Sequence, residues 1–525
     1  MAGEQAASGP EVMRVEGLQR AVITVGCMIG TLMQALDATI ANVSLPYMQG
    51  SLSASYDEIT WVLTSYVIAA AIMTAPVGWL AARFGRKNIF LVSLIGFTIS
   101  SMMCGIATSL GEMVADRLLQ GVFGAALVPL SQSTMLDIYP IEKRGSAMAI
   151  WGIGVMIGPI LGPTLGGYLT YFYNWRYVFF VNLPFGIAAT LALAFFMPKR
   201  AKRPASGNFD WIGFAVLSLF LAGLQIMLDR GQEKDWFASP EIIAYAVLAT
   251  IGLYLFIVHM FTAKNPFIPR AIFRDRNLNA SLITMFAVGS VLLSSATLMP
   301  PFLEQLGNYP VEAAGLVMAP RGLGTMAAMM IAGRLSNRID PRWLMFLGFM
   351  MLLVSFDMMT NWLPSSPRSY ILETIIVQGA GLGFVFTPLQ VVAFYTLDPA
   401  LRTQGTSILS LMRNVGMAVG IAITEAFQVQ MAQISHASLS SLITPFNRAL
   451  QIGGAVQRYL DPTTPHGAAL LGAMINQQSQ IISYIDAFKF MMFISVPAAF
   501  CLLLMRRPPR YNAIPAEKHE MAVME

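Results

Sequence analysis

Long apolar runs alternate with short polar segments along almost the whole chain. Most runs reach about 20 residues, the length that an α-helix needs to cross a hydrocarbon core roughly 30 Å thick. The pattern therefore predicts about fourteen transmembrane helices. They lie near residues 21–45, 58–80, 88–108, 111–136, 146–170, 176–197, 209–228, 241–262, 278–303, 312–334, 342–362, 369–395, 405–428 and 484–505.

The composition supports this prediction. Hydrophobic residues make up 56% of the chain and charged residues only 12%, whereas an average soluble protein has about 25% charged residues. So few charges cannot cover the surface of a soluble protein, and so much apolar sequence is not typical of a disordered chain. The three cysteines lie inside apolar runs, which indicates packing residues and no disulfide framework. We therefore expect an all-α membrane protein embedded in a lipid bilayer.

The lysines and arginines indicate the orientation of the chain. With the N-terminus inside, roughly 23 of them fall in cytoplasmic segments, about 6 outside and about 4 within spans. An even number of spans preserves this bias, so both termini are predicted to be cytoplasmic. A net charge of +5 distributed in this way gives no indication of a nucleic-acid partner.

The two halves of the chain share similar motifs in the same order. Gly78 and Gly333 begin similar loop motifs 255 positions apart, and Gly158 and Gly416 lie 258 positions apart. A nearly constant offset predicts two parallel six-helix bundles, the architecture of many secondary transporters. The predicted order is a cytoplasmic tail (1–20), an N-terminal bundle (21–197), two inserted helices with cytoplasmic linkers (198–276), a C-terminal bundle (277–505) that contains a periplasmic loop (431–482), and a cytoplasmic tail (506–525).

The sequence contains no motif that indicates an enzyme. The four histidines, His259, His436, His466 and His519, have no metal-ligand spacing, and the chain has no phosphate-binding G-x-x-x-x-G-K-[ST] loop. We therefore predict no catalytic residue, metal or cofactor, and we expect an ion gradient or the substrate's own gradient to supply the energy.

Asp37 and Arg117 are the main candidates for proton coupling. Ionisable groups inside spans cost at least about 2.5–3.5 kcal/mol each and usually face a cavity. The repeat offsets place Leu292 and Ile375 at the corresponding positions of the second bundle, so the scaffold itself does not require these charges. Both residues lie roughly 9–12 Å from the outer ends of their helices. We predict that Asp37 carries the coupling proton and that Arg117 tunes it; a static ion pair is the alternative.

Other polar residues are weaker candidates for coupling or substrate contact, with packing or an interfacial position as the alternative. They are Gln34 and Asn42, about one turn from Asp37, and Arg413, Asn414, Glu425 and Asp357 in the second bundle.

Two further sets of residues are candidates for gating and for shaping the cavity. Glycines and basic residues after the second and eighth spans could close the cytoplasmic side; the alternative is that the basic residues only reflect the positive-inside bias. This first set is Gly78, Arg83, Gly85, Arg86, Lys87, Gly333 and Arg338. Glycines at every fourth position of the fifth span allow close helix packing, and two prolines each remove a backbone donor. This second set is Gly154, Gly158, Pro159, Gly162 and Pro163.

These motifs resemble the major facilitator superfamily, in particular the fourteen-span drug:proton antiporters of the EmrB/QacA type. The similarity is carried by Leu36–Pro46, Gly78–Lys87, Arg117–Gly121, Gly154–Gly167, Asn174–Pro184 and Arg413–Gly420. One position departs from the family pattern. We call the loop motif Gly78–Lys87 and its repeat from Gly333 the gate loops, and Ala82 stands where the family's loop usually carries an acid.

The resemblance implies proton-coupled efflux of lipophilic drugs or toxic compounds from the bacterial inner membrane by alternating access. It also implies a tripartite pump, with a periplasmic membrane-fusion adaptor docked on residues 431–482 and an outer-membrane channel beyond it; a simple flap over the outer mouth is the other interpretation of this segment. A proton-coupled symporter or an exporter of one specific metabolite remains the alternative function.

Overall fold

The computed structural model describes residues 15, 17–140, 143–198, 209–336, 338–444, 460–461 and 463–506. Within these residues the secondary structure is helical, without strands, and this confirms the all-α prediction. Most of the two predicted tails lies outside the described ranges.

The N-terminal bundle is built from long helices with short connections. Its helices are α1 (Gly17–Ser51), α2 (Tyr56–Ile59), α3 (Trp61–Thr74), α4 (Val77–Phe84), α5 (Arg86–Ile106), α6 (Leu110–Gly124), α7 (Leu127–Ile138), α8 (Arg144–Phe172), α9 (Tyr177–Phe180) and α10 (Asn182–Phe196).

An inserted helix pair and the C-terminal bundle follow. The pair is α11 (Trp211–Gly231) and α12 (Pro240–Thr262), and the bundle contains α13 (Arg276–Pro301), α14 (Val311–Leu335), α15 (Pro341–Thr360), α16 (Arg368–Ala393), α17 (Arg402–Leu442) and α18 (Pro465–Phe500).

The number of spans agrees with the prediction. Thirteen helical segments of the described residues are long and apolar enough to cross a bilayer. The pair α3 and α4, bent by 56° where they join, makes a fourteenth if it counts as one span. Pro76 lies at this bend, where its missing N–H interrupts the helical hydrogen bonds.

Three helices extend beyond the predicted spans. Helix α1 continues past Pro46 to Ser51, α17 runs on to Leu442, and α18 already begins at Pro465. Residues 431–482, predicted as one long loop, are therefore helical over 431–442 and 465–482, and residues 445–459 and 462 lie outside the described residues. A helix satisfies its own backbone hydrogen bonds, so it continues into water; an apolar run marks only the part inside the bilayer.

Matching backbone contacts support the repeat and correct its register. Gly121 packs against the backbone carbonyl of Tyr66, and Gly379, 258 positions later, packs against that of Arg321. The hydroxyl groups of Thr39 and Ser290 likewise donate to the carbonyls of the equivalent residues Gly158 and Gly416.

The pair Thr39 and Ser290 has an offset of 251, because connections of different length change the offset from helix to helix. The counterpart of Asp37 is therefore Val288, and the predicted Leu292 was one turn away. Val288 is also apolar and buried, so the conclusion about Asp37 is unchanged.

The glycine face of α8 packs on α1 around Asp37. A Cβ atom placed on Gly158 would lie 2.6 Å from the carbonyl carbon of Ala35, and one on Gly166 would lie 2.9 Å from the Ile40 oxygen. Gly154 and Gly162 similarly face Met28 and Thr39. The α-helix runs without interruption through Pro159 and Pro163. The glycines thus bring α8 into backbone contact with the helix that carries the candidate carboxylate.

The inserted pair lies beside the bent helices. Helix α11 reaches α3 near the N-terminal end of α3, where the Arg230 guanidinium lies 6.0 Å from the Trp61 ring. At the other end the rings of Phe209 and Trp79 are 4.8 Å apart, so the pair contacts both arms of the bend.

We expect Gly158→Ala to destabilise the protein by about 1–3 kcal/mol, because the added methyl group overpacks a backbone contact. The measurement is the midpoint of thermal unfolding in detergent. Gly167→Ala is the matched control, since its Cβ would meet only Val43 at 3.8 Å. Equal midpoints for the two variants would contradict the packing role.

Candidate functional site

The structure brings Asp37 and Arg117 together as a buried ion pair. The Nη1 atom of Arg117 lies 2.6 Å from Oδ2 of Asp37. The side chains are 1% and 0% exposed. The two residues were placed at similar depth from sequence alone, and α1 and α6 hold them in direct contact.

Two amide side chains complete the surroundings of the carboxylate. Arg117 also donates to Oε1 of Gln120 at 2.7 Å, and Gln120 donates to Oδ1 of Asp37 at 2.8 Å. Asn182 reaches the same oxygen at 3.5 Å and donates to the Ser101 hydroxyl at 3.0 Å. Both carboxylate oxygens are therefore hydrogen-bonded, as a buried charge requires.

The guanidinium is fixed on its other side by α3. Its Nε atom donates to the carbonyl of Val62 at 2.9 Å. The Tyr66 ring lies 4.2 Å from the guanidinium carbon, within the range of a cation–π contact. Arg117 thus links the carboxylate on α1 to the bent helix, and a movement of that helix acts directly on the ion pair.

The pair is electrically neutral only while Asp37 is ionised. A proton on Asp37 would leave the Arg117 charge buried without a counter-charge, which is strongly unfavourable. Proton uptake therefore requires that the two groups separate or that solvent reaches Arg117. In the present conformation both are shielded from solvent.

The predicted neighbours of Asp37 are not its partners. Asn42 is exposed, because five residues along a helix turn the side chain about 140° away. Gln34 is half-buried and makes no described hydrogen bond to Asp37. Gln120 and Asn182 take their places. Gln120 lies one turn after Arg117 in the motif Arg117–Gly121, and Asn182 lies near the end of the motif Asn174–Pro184. Their places in these motifs were the sequence signal that could have identified them.

The weaker candidates of the second bundle remain separate from the ion pair. Arg413 is buried and Asn414 half-buried on α17. Glu425 is half-buried about 18 Å further along the same helix. Asp357 is exposed near the end of α15. None of these side chains has a described hydrogen bond to Asp37 or Arg117.

A second ionic cluster joins the two bundles at the end that carries Gly85, Lys143, Arg338 and Arg402, which we call the basic face. Asp137 accepts from Arg86 of the first bundle at 2.6 Å and from Arg402 of the second at 3.0 Å. Arg86 also donates to Thr403 at 3.0 Å. We call these three ionic groups, Arg86, Asp137 and Arg402, the Asp137 clamp.

Asp137 was not predicted from the sequence, because the acid that pairs with these arginines was expected within the loop motif Gly78–Lys87. Ala82 occupies the expected position, whereas Asp137 lies on α7, one residue from the helix end. Its place near the boundary of a span gave it the appearance of an ordinary interfacial residue.

The gate-loop residues divide into contacting and exposed ones. A Cβ on Gly78 would lie 2.8 Å from the Gln404 α-carbon, and one on Gly333 would lie 2.6 Å from the Gly145 oxygen. The two glycines therefore make equivalent close approaches to the opposite bundle. Lys87 donates to the carbonyls of Ala194 and Met197 at 2.7 and 2.5 Å.

The remaining gate-loop residues make no contact with the opposite bundle among the described hydrogen bonds and ion pairs. Gly85 adopts a φ of 91°, which favours glycine. Arg83 and Arg338 are exposed.

Two equivalent glutamines meet between the bundles. Gln132 of α7 donates to Gln390 of α16, its counterpart 258 positions later, and both are buried. Thr406 donates to the carbonyl of Pro129 at 3.1 Å nearby. Together with the Asp137 clamp, these contacts close the basic face.

Two repeated helical bundles that enclose buried charges within a bilayer define a secondary transporter. The Major Facilitator Superfamily profile matches residues 27–421, and the chain belongs to this superfamily.

Curated relatives narrow the assignment to the EmrB-like drug transporters. Multidrug export protein EmrB of Escherichia coli (strain K12) is 33% identical over 484 residues, which cover 90% of this chain and 93% of that protein. Fatty acid resistance protein FarB of Neisseria gonorrhoeae is 30% identical over 474 residues, which cover 90% and 94%.

A solved structure agrees with the fold. The human organic anion transporter MFSD10 (TETRAN) superposes with a TM-score of 0.58 at 13% identity, covering 93% of this chain and 100% of that one. At this identity the similarity concerns the fold alone.

We expect Asp137→Asn to loosen the basic face, since the amide cannot balance two guanidinium groups. In a background without native cysteines, Gln132→Cys and Gln390→Cys would be cross-linked with a short bismaleimide. The yield should fall at least severalfold when Asp137→Asn is added. Arg334→Gln, which changes an exposed charge on the same face, should leave the yield unchanged; an equal loss in both variants would contradict the clamp.

Proposed function

We propose that this protein exports lipophilic drugs and other toxic compounds across the bacterial inner membrane in exchange for protons, by alternating access. The observation that carries the proposal is the buried pair of Asp37 and Arg117, a carboxylate at membrane depth whose charge is balanced by one guanidinium. The names of the drug-exporting relatives support efflux in preference to uptake or a single metabolite. The positive-inside bias supports a cytoplasmic basic face and cytoplasmic termini.

The cycle follows from the electrostatics of the pair. With the basic face closed, Asp37 is ionised and neutralised by Arg117. While the site faces the periplasm, movement of α3 withdraws Arg117, and the carboxylate, which has lost its counter-charge, takes a proton from the periplasmic side. After the bundles rock, Arg117 returns to Asp37 while the site faces the cytoplasm, and the proton is released there. The substrate binds from the cytoplasm in that conformation and leaves on the periplasmic side, so the two fluxes are coupled in opposite directions.

The Asp137 clamp supplies the closed state of the cytoplasmic side. Arg86 and Arg402 belong to different bundles, and each reaches one oxygen of the same carboxylate. Asp137 on α7 thus pairs with the arginines that close this side, although the family's loop usually carries its acid at the position of Ala82. Opening towards the cytoplasm requires that at least one of these contacts breaks.

Asp37→Asn tests the coupling directly. In everted vesicles with a respiration-driven pH gradient, we expect substrate-dependent proton release to fall at least tenfold, because an amide cannot carry the proton, while substrate still binds. Glu373→Gln is the matched control, since it removes an exposed acid from α16 that is not among the candidates for coupling. Unimpaired proton-driven efflux by Asp37→Asn would refute the proposal.

We further propose that the pump works with a periplasmic membrane-fusion adaptor and an outer-membrane channel. Helices α17 and α18 have 41 and 36 residues, so they are about 61 and 54 Å long at 1.5 Å per residue. A bilayer core takes up only roughly 30 Å of each. The two helices therefore extend well beyond the outer boundary, and Gln428 joins them by hydrogen bonds to Gln480 and Ser483 at 3.2 and 3.1 Å.

Shortening this projection tests the adaptor contact. Joining residue 434 to residue 474 through a Gly-Ser turn should abolish copurification with a periplasmic membrane-fusion adaptor, because the projecting surface is lost, while membrane insertion is retained. Replacing 443–464 by a Gly-Ser linker of equal length keeps both helices and serves as the control. Adaptor binding that survives the shortening would rule out docking on this segment.

A further inference from the structure

The two inserted helices are in direct backbone contact. A Cβ atom on Gly252 of α12 would lie 2.6 Å from the Phe220 nitrogen of α11, and one on Gly223 of α11 would lie 2.9 Å from the Ala249 nitrogen of α12. Small residues that let two helix backbones approach in this way stabilise helix pairs in membranes. The middle of the inserted pair is therefore packed as one rigid unit.

The end at which α11 turns into α12, which we call the hairpin end, is fixed as well. Arg230 donates to Glu241 at 2.8 Å and so joins the two helices. Asp235 and Trp236 have φ angles of 55° and 51°, a conformation that residues other than glycine adopt rarely and only where their surroundings fix it. Trp236 is held by its Nε1 atom, which donates to Gln232 at 3.1 Å.

The opposite end of the pair is held by one carboxylate. Asp210 accepts from the Gly213 N–H at 2.9 Å and so caps the start of α11. The same carboxylate lies 2.8 Å from Nε2 of His259 on α12 and accepts from the Phe267 N–H at 3.3 Å. Asp210 therefore ties together both helices and the segment that leads to α13.

At its hairpin end, the pair contacts α3 beside the carbonyl that holds Arg117. The Arg230 guanidinium lies 6.0 Å from the Trp61 ring, at the limit of a cation–π contact. The next residue, Val62, accepts the hydrogen bond from Nε of Arg117, and Tyr66 lies against the same guanidinium. The pair therefore bears on the part of α3 that keeps Arg117 in place.

At its opposite end, the pair contacts α4 beside the glycine that touches the second bundle. The rings of Phe209 and Trp79 are 4.8 Å apart, and Gly78, which directly precedes Trp79, packs against Gln404. Helix α11 also packs directly against α17 of the second bundle. A rigid rod attached to both arms of a bent helix fixes the angle between them, and this rod also contacts the bundle that rocks against that helix.

We propose that the inserted pair is a strut, which fixes the bend between α3 and α4 and transmits movements of the second bundle to α3, where they withdraw Arg117 from Asp37. Arg230 and Phe209 are its two attachment points and act as positioning residues for the ion pair. The inference rests on the movement of α3 in the proposed cycle, and it assigns control of that movement to the two helices that lie outside the repeat.

Alkylation of a native cysteine measures how often the ion-pair site opens. Cys104 is fully buried, its Sγ atom lies 3.6 Å from Oε1 of Gln120, and it packs in the same apolar cluster as Val62. Cys27 is equally buried but belongs to a different cluster, so it reports general loosening of the fold. In a Cys501→Ser background in lipid nanodiscs, N-ethylmaleimide labelling of each cysteine is followed by mass spectrometry, without substrate or proton gradient.

Variants at the two attachment points should open the site more often. Arg230→Gln and Phe209→Leu should each raise the labelling rate of Cys104 about two- to fivefold, the change expected for loss of one such contact, and leave that of Cys27 unchanged. Phe209 lies at the basic face, whereas Cys104 lies roughly 27 Å along α5 from that face, so local packing does not explain an effect of Phe209→Leu. Arg230→Lys and Phe209→Tyr keep the charge and the ring and should restore most of the wild-type rate.

The double variant separates a strut from two independent contacts. A strut works only while both ends are attached, so Arg230→Gln combined with Phe209→Leu should raise the rate no further than the stronger single variant, whereas independent contacts would multiply their effects. Lys264→Gln and Tyr254→Leu are the matched controls, since they change an exposed charge and an exposed ring of the inserted segment.

Four results would overturn the proposal: an unchanged Cys104 rate in either single variant, a parallel rise at Cys27, multiplied effects in the double variant, or the same rise in the two controls. The coupling hypothesis is judged separately by proton release in Asp37→Asn. Because the labelling experiment uses neither a substrate nor a gradient, a failure of the export proposal leaves its result intact.

Discussion

The burial of one ion pair constrains the rest of the N-terminal bundle. Removing one partner of such a pair leaves an uncompensated charge, which costs about 3–5 kcal/mol. The helices around Asp37 and Arg117 therefore have to supply hydrogen bonds in fixed positions. Gln120, Asn182 and the Val62 carbonyl do so, and the glycines of α8 let that helix pack closely on α1 around the carboxylate.

The same constraint connects the charge to the motion. Arg117 is held by α1 through Asp37 and by α3 through Val62 and Tyr66. Helix α3 continues through the bend at Pro76 into α4, whose Gly78 touches the second bundle at the basic face. A continuous path of covalent and packed contacts thus runs from the buried carboxylate to the closed end of the protein, and the Asp137 clamp lies at that end.

Much of this arrangement could be predicted from the sequence. Span number, the repeat, and the similar depth of Asp37 and Arg117 follow from apolar length and from residue counting along helices. Which side chains contact each other between helices could not be predicted, because it depends on the rotation of each helix about its axis. Asn42 faces away from Asp37, whereas Asn182, far along the chain, faces it. Asp137 was not predicted for a related reason, since its two arginines are the first residues of α5 and α17, which only the packed bundles bring together. The extension of α18 begins with an apolar stretch, 468–475, but the polar residues 476–480 separate it from the predicted span, so its continuity with that helix could not be predicted.

The contact between Gln132 and Gln390 has a geometric origin. Two equivalent residues of a parallel repeat can touch each other only where the pseudo-twofold axis passes between them. A side chain at such a point meets its own image, so it has to donate and accept at once. Two equivalent carboxylates or two equivalent lysines would repel each other at this point. Two amides can pair, because each carries both a hydrogen-bond donor and an acceptor. A single six-helix unit bearing this glutamine would therefore have been able to pair with a second copy of itself before the two units became one chain.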